Sequence, residues 1–213
     1  MEVIQVDLSQ DLSSAAKRAV AVLQNGGVIA YPTDTIYGLG VNALDEKAIR
    51  RIFSVKRRDE RKSLPIAVKN ILWAKELAYI TQRNEHILDR IWPGKVTAVF
   101  PKKGIIPNIL TGGEYTIGMR IVKSDFVDMV LGKFGYPITA TSANISESEP
   151  IRDGDTVVKM FQNNTIQPDL IINAGVLPES DPSTVVDLTT DKPKILRIGA
   201  TKPKQLLKLL DGL

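Results

Sequence analysis

Cysteine is absent from the 213 residues. That excludes disulfides, thiolate metal sites and a cysteine nucleophile, and it fits a reducing compartment. There is a single histidine, His86, so a multi-histidine metal site cannot be built, and any Ser-His-Asp triad would have to use it. His86 stands in the helix-like run Asn-Glu-His-Ile-Leu-Asp-Arg and reads as a surface or packing residue. No stretch approaches the ~18 consecutive apolar residues of a membrane span. The opening Met-Glu-Val-Ile-Gln-Val-Asp lacks the basic-then-apolar pattern of a signal peptide, so a cytoplasmic protein is expected. Two common phosphate-binding devices are also missing. The chain has no Walker A pattern and no Gly-x-Gly-x-x-Gly following a strand.

What is present is ordinary for a globular protein: 43% hydrophobic and 24% charged residues, enough chain to bury a full core. The formal net charge is +4 and the sequence pI about 9.2, a modest excess that favours anionic ligands. Its distribution is more informative. Residues 50 to 62 read Arg-Arg-Ile-Phe-Ser-Val-Lys-Arg-Arg-Asp-Glu-Arg-Lys, seven basic against two acidic. Such a run is commonly a solvated helix face, but this one passes beyond the helix into a loop, which points to a phosphate-rich ligand.

The organising stretch is residues 28 to 40, Val-Ile-Ala-Tyr-Pro-Thr-Asp-Thr-Ile-Tyr-Gly-Leu-Gly. Val28 to Tyr31 has the length of a buried strand. Pro32 lacks an N–H and ends it. Thr33, Asp34 and Thr35 form a polar turn, and Gly38 and Gly40 are expected to let the backbone turn sharply or approach a ligand. Ligands of open α/β sheets sit beyond the carboxyl ends of strands, and this segment has that character.

Around it, apolar spacing predicts helices over 12–24, from Asn42 or Asp45 to the basic loop, and over 71–79, 85–92, 125–134, 156–162 and 204–210. Strands are predicted at 64–68, 96–100, 116–121, 137–141, 170–172, 185–188 and 195–198. The expected fold class is α/β, one domain with a single twisted open mixed sheet and flanking helices. Residues 101–113, rich in Pro and Gly, and the polar loop 145–155 are candidate lids.

Four polar clusters fall at strand ends: Thr33 to Thr35, Thr116 to Arg120, Thr141 to Asn144, and Ser183-Thr184. Each mixes hydroxyls with an amide or a base, groups that orient a ligand without attacking it strongly. Phosphates would have to be held by side chains such as Lys56, Arg58, Arg61 and Lys62.

These segments resemble the motifs of the YrdC/Sua5 family. The matching pieces are Tyr-Pro-Thr-Asp-Thr-Ile-Tyr-Gly-Leu-Gly, Lys56-Arg57-Arg58, Trp92-Pro93-Gly94, Gly118-Met119-Arg120, Thr141 to Ser146, Ser183 to Asp187, and Leu196-Arg197. They stand in the family's order over about residues 12 to 200. The extra C-terminal domain of longer members does not fit in the roughly 13 residues left, so residues 1–213 are expected to form one YrdC-like domain.

The resemblance implies a twisted α/β sheet with a positively charged concave face. It also implies an L-threonylcarbamoyladenylate synthase, which joins L-threonine, bicarbonate and ATP, with Mg2+, into threonylcarbamoyl-AMP and pyrophosphate. The product feeds N6-threonylcarbamoylation of adenosine 37 in tRNA through a downstream transferase. By resemblance, Lys56 and Arg58 are catalytic, acting at the phosphates. Thr35, Arg120, Ser142 and Ser183 hold L-threonine, with Arg120 bidentate on its carboxylate. Arg58, Lys62, Thr116, Asn144, Arg152 and Arg197 hold ATP. No protein metal ligand is implied.

Three departures stand out. Asp59 replaces a usual proline, Ser146-Glu147 replaces Ser-Gly, and Ala67 and Val68 stand where many members carry a threonine-contacting histidine. A competing reading is an RNA-binding module of the same fold. No aromatic-interleaved stripe or RNP-type motif supports it.

Overall fold

The structure is a computed structural model that describes residues 1–210. In chain order the elements are β1 (Glu2–Gln5), α1 (Ser13–Gln24), β2 (Ile29–Tyr31), β3 (Gly38–Gly40), α2 (Glu46–Lys56), β4 (Ile66–Ala67), α3 (Ile71–Leu77), α4 (Gln82–Ile91), β5 (Val96–Pro101), β6 (Thr116–Arg120), α5 (Asp125–Phe134), β7 (Ile138–Thr139), β8 (Thr141–Ser142), α6 (Gly154–Gln162), β9 (Leu170–Asn173), β10 (Thr184–Asp187), β11 (Lys194–Arg197) and α7 (Pro203–Leu210). None of the described helices is long and apolar enough to cross a membrane.

Helix starts follow local chemistry. Asp45 caps α2 by accepting the Lys47 and Ala48 N–H groups, and Asn70, Thr81, Ser124 and Asp153 cap α3, α4, α5 and α6, each satisfying donors the helix leaves open. Asn25 ends α1, and Gly26 follows at φ +69°, as the Asn-Gly-Gly signal predicts.

The α/β class and mixed pairing hold, but the strands divide between two sheets rather than one. The first runs β1-β9-β2-β3-β8 and the second β11-β10-β5-β6-β4-β7. The cause lies in the stretch predicted as one strand over 137–141. Its first half, β7, pairs with β4 in the second sheet, and its second half, β8, pairs with β3 in the first. Between them the Ala140 N–H donates to the Pro65 carbonyl at 2.8 Å. The chain therefore steps from one sheet to the other at Ala140, and the polar Thr141-Ser142-Ala143-Asn144 segment emerges at that joint.

Two apolar cores follow. Alternate residues of β2 face opposite sides, so Ala30 joins the larger core with α2 and α4 while Ile29 and Tyr31 join a second core under α1 and α5. A strand buried on both faces reads as a continuous apolar run, which is why this segment was legible.

The glycines after it do not make a sharp turn, although Gly38 does line the cavity described below. Gly38 and Gly40 lie in a strand antiparallel to β2, not in a turn. The Tyr31 ring lies across them. A Cβ on Gly40 would stand 2.9 Å from a ring carbon and one on Gly38 3.1 Å. The Tyr31 hydroxyl donates to the Thr139 carbonyl at 2.9 Å. These glycines make room for an aromatic ring that ties the first sheet to the joint.

Candidate functional site

The site forms where strand ends of both sheets meet. Arg120 ends β6, Thr35 lies between β2 and β3, Lys56 ends α2, Ser142 and Asn144 leave β8, Ser183 precedes β10 and Arg197 ends β11. All seven, together with Arg58, line one cavity of about 310 Å³.

At its centre Arg120 is buried, and its Nη2 donates to Asp34 Oδ1 while Nη1 donates to Thr35 Oγ1 at 3.4 Å. Its Nε is buried without a partner. Beside it, the Ser183 hydroxyl shares a hydrogen bond of 2.8 Å with Thr97 Oγ1. The Arg197 Nη2 donates to the Ser183 carbonyl at 2.7 Å. Burial, and then the charge of Arg120, hold the Arg197 guanidinium below its ordinary pKa. Two guanidiniums thus feel each other across the cavity, which favours an anion between them.

On the far side, Asn144 Oδ1 accepts from the Ser142 hydroxyl at 2.6 Å and from Lys56 Nζ at 3.1 Å. Lys56 Nζ also donates to the Ser142 and Asn144 carbonyls at 2.5 and 2.8 Å. Burial, reinforced by the charge of Arg58, pulls the Lys56 ammonium down to about 7. Arg58 reaches the cavity with Nη2 on the Ser63 carbonyl at 3.1 Å, and burial lowers its pKa too. Ser146 Oγ, also on the cavity wall, is buried without a partner.

Placement separates the expected residues. Thr35, Lys56, Arg58, Arg120, Ser142, Asn144, Ser183 and Arg197 come together. Lys56 does so with its ammonium held by three protein oxygens. Lys62 stands at the rim, paired with Glu147 at 3.5 Å. Thr116 lies at the opposite end of β6 from Arg120, paired with Pro101, and does not line the cavity. Arg152 lines a separate hollow of about 400 Å³ with Lys95 and Lys202. Loop 145–155 borders the cavity through Ser146, Glu147, Ser148 and Pro150, while no residue of 101–113 does.

Ala67 is wholly buried and pairs with Arg120 across the sheet, and Val68 is equally buried. No polar group replaces the histidine at these positions. The cavity wall on the Arg120 side carries Pro65, Val122 and Ala140 instead. Two residues carry no role in the sequence reading: Asp34, placed in a polar turn but here holding Arg120, and Thr97, which holds Ser183. The position of Asp34 next to Thr35, inside one polar turn, was the available signal. Thr97 sits inside an apolar strand and offered none.

The basic run is largely engaged within the protein. Arg50 pairs with Glu60, Arg51 with Asp169 and Arg61 with Asp59, while Arg57 donates to the Asn164 side chain at 3.1 Å. Among the described residues, no group of three or more His, Cys, Asp or Glu is placed to hold a metal ion.

The chain was compared with known proteins. The Sua5/YciO/YrdC family profile, described as "Telomere recombination", matches residues 21–199. The threonylcarbamoyl-AMP synthase of Pyrococcus abyssi is 34% identical over 193 residues, covering 90% of this chain and 56% of that protein. The threonylcarbamoyl-AMP synthase of Psychromonas ingrahamii is 30% identical over 177 residues, covering 82% of this chain and 92% of that one. The crystal structure of P. abyssi Sua5 complexed with L-threonine superposes with a TM-score of 0.93 at 32% identity, covering 99% of this chain and 61% of that one. The chain thus spans a little over half the length of the P. abyssi relative, and matches nearly the full length of the Psychromonas one. The strand-end cavity, the ordered motifs and these matches agree, and the chain belongs to the Sua5/YciO/YrdC family.

Proposed function

We propose that this chain is an L-threonylcarbamoyladenylate synthase acting as a nucleotidyltransferase in the cytoplasm. The observation that carries the reading is the buried Arg120 fork with its unpartnered Nε, set in one cavity with Arg58 and Arg197. That is a receptor for more than one anionic group. Two relatives that match most of this chain carry the synthase name, and one solved relative holds L-threonine.

The chemistry suits the side chains. The amine of threonine and bicarbonate give an N-carboxylate and water. A carboxylate oxygen then attacks the α-phosphorus of ATP, the bond to the β-phosphate's bridging oxygen breaks, and pyrophosphate leaves. The reactants supply nucleophile and leaving group. The protein has to hold anions in line and neutralise charge that builds on the phosphates. Arg120 takes the threonine carboxylate, with the Thr35 and Ser183 hydroxyls beside it. Arg58 and Arg197 act on the nucleotide, Ser142 and Asn144 line its side, and Lys62 at the rim is released from Glu147 to reach the phosphate tail. Mg2+ enters as part of the substrate Mg-ATP. The adenylate passes to a tRNA threonylcarbamoyl transferase.

The test is pyrophosphate release from Mg-ATP with L-threonine and bicarbonate each omitted in turn, with chromatography for the adenylate. Release that needs both co-substrates, and is abolished in Arg58→Ala and Arg120→Ala variants that still melt cooperatively, is expected. Release that ignores threonine, or full activity in both variants, contradicts the reading.

A further inference from the structure

We propose that Asp34 is the positioning residue that aims Arg120 at the substrate's carboxylate. The inference rests on the synthase reading for the identity of the ligand, and on geometry for the role.

Arg120 and Asp34 form a buried ion pair, their side chains only 6% and 10% exposed. A guanidinium left alone at such a depth would be costly, so the carboxylate is what allows the arginine to sit there. Asp34 is itself anchored, because its Oδ2 accepts the Lys123 N–H at 3.3 Å. Arg120 is anchored through its main chain, whose carbonyl accepts the Val68 N–H at 3.0 Å. Both ends of the pair are therefore tied to backbone that cannot shift alone.

The pairing uses only part of the fork. Asp34 takes Nη2 and Thr35 takes Nη1, while the Nε–H is left buried with no acceptor. A guanidinium presents its donors in one rigid plane, so fixing two corners fixes where the third points. The two fixed corners therefore set how the guanidinium stands in the cavity wall. Charge points the same way. Arg120 and Arg197 face one cavity, and Asp34 neutralises one of the two. The remaining positive charge calls for an anion, and Pro65, Val122 and Ala140 add apolar groups to the same wall. Asp34 does not line the cavity, so it acts through Arg120 and does not touch substrate.

The experiment compares wild type with Asp34→Asn and Asp34→Glu by calorimetry and steady-state kinetics. L-Threonine is set against L-threoninol, in which the carboxylate is an alcohol. Wild type is expected to prefer threonine strongly. Asp34→Asn should weaken threonine binding about tenfold or more, leave threoninol binding unchanged and keep the KM for ATP within about twofold. Asp34→Glu, with the charge kept but displaced by one methylene, should fall between the two. A purely structural role would lower the melting point and move both KM values together. Unchanged threonine affinity in a folded Asp34→Asn overturns the proposal. If that variant does not melt cooperatively, unchanged affinity in Asp34→Glu overturns it instead. Failure of wild type to bind or turn over threonine removes the synthase reading, and this inference with it. Threonine-dependent turnover that is indifferent to Asp34 removes the inference alone.

Discussion

The ammonium of Lys56 is enclosed by three oxygens of one short segment, the Ser142 carbonyl and the carbonyl and side-chain oxygen of Asn144. The end of α2 thereby fixes the loop that leaves the joint between the two sheets. Lys56 and Asn144, both expected at the phosphates and nucleotide, are thus bonded directly to each other.

Stability should depend on pH through this lysine. Its pKa is 10.5 unperturbed and about 7 in the folded protein, so between these values the unfolded state holds a proton that the folded state has released. The group's contribution to stability is then absent below about pH 7 and grows as pH rises toward 10.5. The slope approaches about 1.4 kcal/mol per pH unit. Urea midpoints measured at about pH 7 and pH 9 should rise more in wild type than in Lys56→Met. Equal slopes in the two proteins would show that Lys56 keeps its proton throughout.

Among the described residues, Glu147 is one of two non-glycine residues with positive φ, at +73°, the other being Arg57. A side chain in this region costs about 1–2 kcal/mol. Its ion pair with Lys62 is exposed, with side chains 85% and 53% accessible, and returns little. Glu147→Gly should therefore raise the melting temperature by roughly 2–4 °C and lower the KM for ATP by freeing Lys62. A fall in melting temperature would place the stabilising contribution in the side chain after all.

Gly40→Ala tests the aromatic strap. Its Cβ would meet the Tyr31 ring at 2.9 Å and the Ile29 side chain at 3.3 Å, an overpacked contact that costs about 1–3 kcal/mol. Chemical denaturation should show that loss, and a Tyr31→Val background should recover much of it, because contacting residues are not additive. Simple additivity would mean that the ring does not set the constraint.

The engaged basic run carries a prediction about RNA. With Arg50, Arg51 and Arg61 paired to carboxylates, few phosphate contacts are left to this segment. Filter binding of tRNA should be weak near 0.15 M salt and show a shallow salt slope, since each neutralised phosphate adds about one unit to it. A steep slope that falls in an Arg50→Ala, Arg51→Ala variant would restore the RNA-binding reading.

Much of the site was legible because its residues sit in local patterns. Thr35 follows an apolar strand that ends at a proline, Arg120 ends another strand, and Ser142 and Asn144 share one short polar turn. Two of the expected ATP contacts, Thr116 and Arg152, stand away from this cavity. Thr116 and Arg120 belong to one strand cluster in sequence, yet a strand rises about 3.3 Å per residue, so its two ends are far apart in space. Arg152 and Ser148 belong to one polar loop, but that loop passes from the main cavity to a second hollow.

The sequence by itself determined the α/β class, the helices and the Asp45 cap, and the family motifs, because periodicity, capping and turn chemistry act over a few residues. Only the tertiary structure decided that the strands form two sheets, that Ala140 carries the chain between them, and that Gly38 and Gly40 serve the Tyr31 ring. It also decided the partnerships Asp34–Arg120, Thr97–Ser183 and Lys56–Asn144. Two of these pairs join residues 86 apart in the chain and the third 88 apart. A buried charge or hydroxyl must find a partner in space, and no local pattern records which distant group the fold brings to meet it.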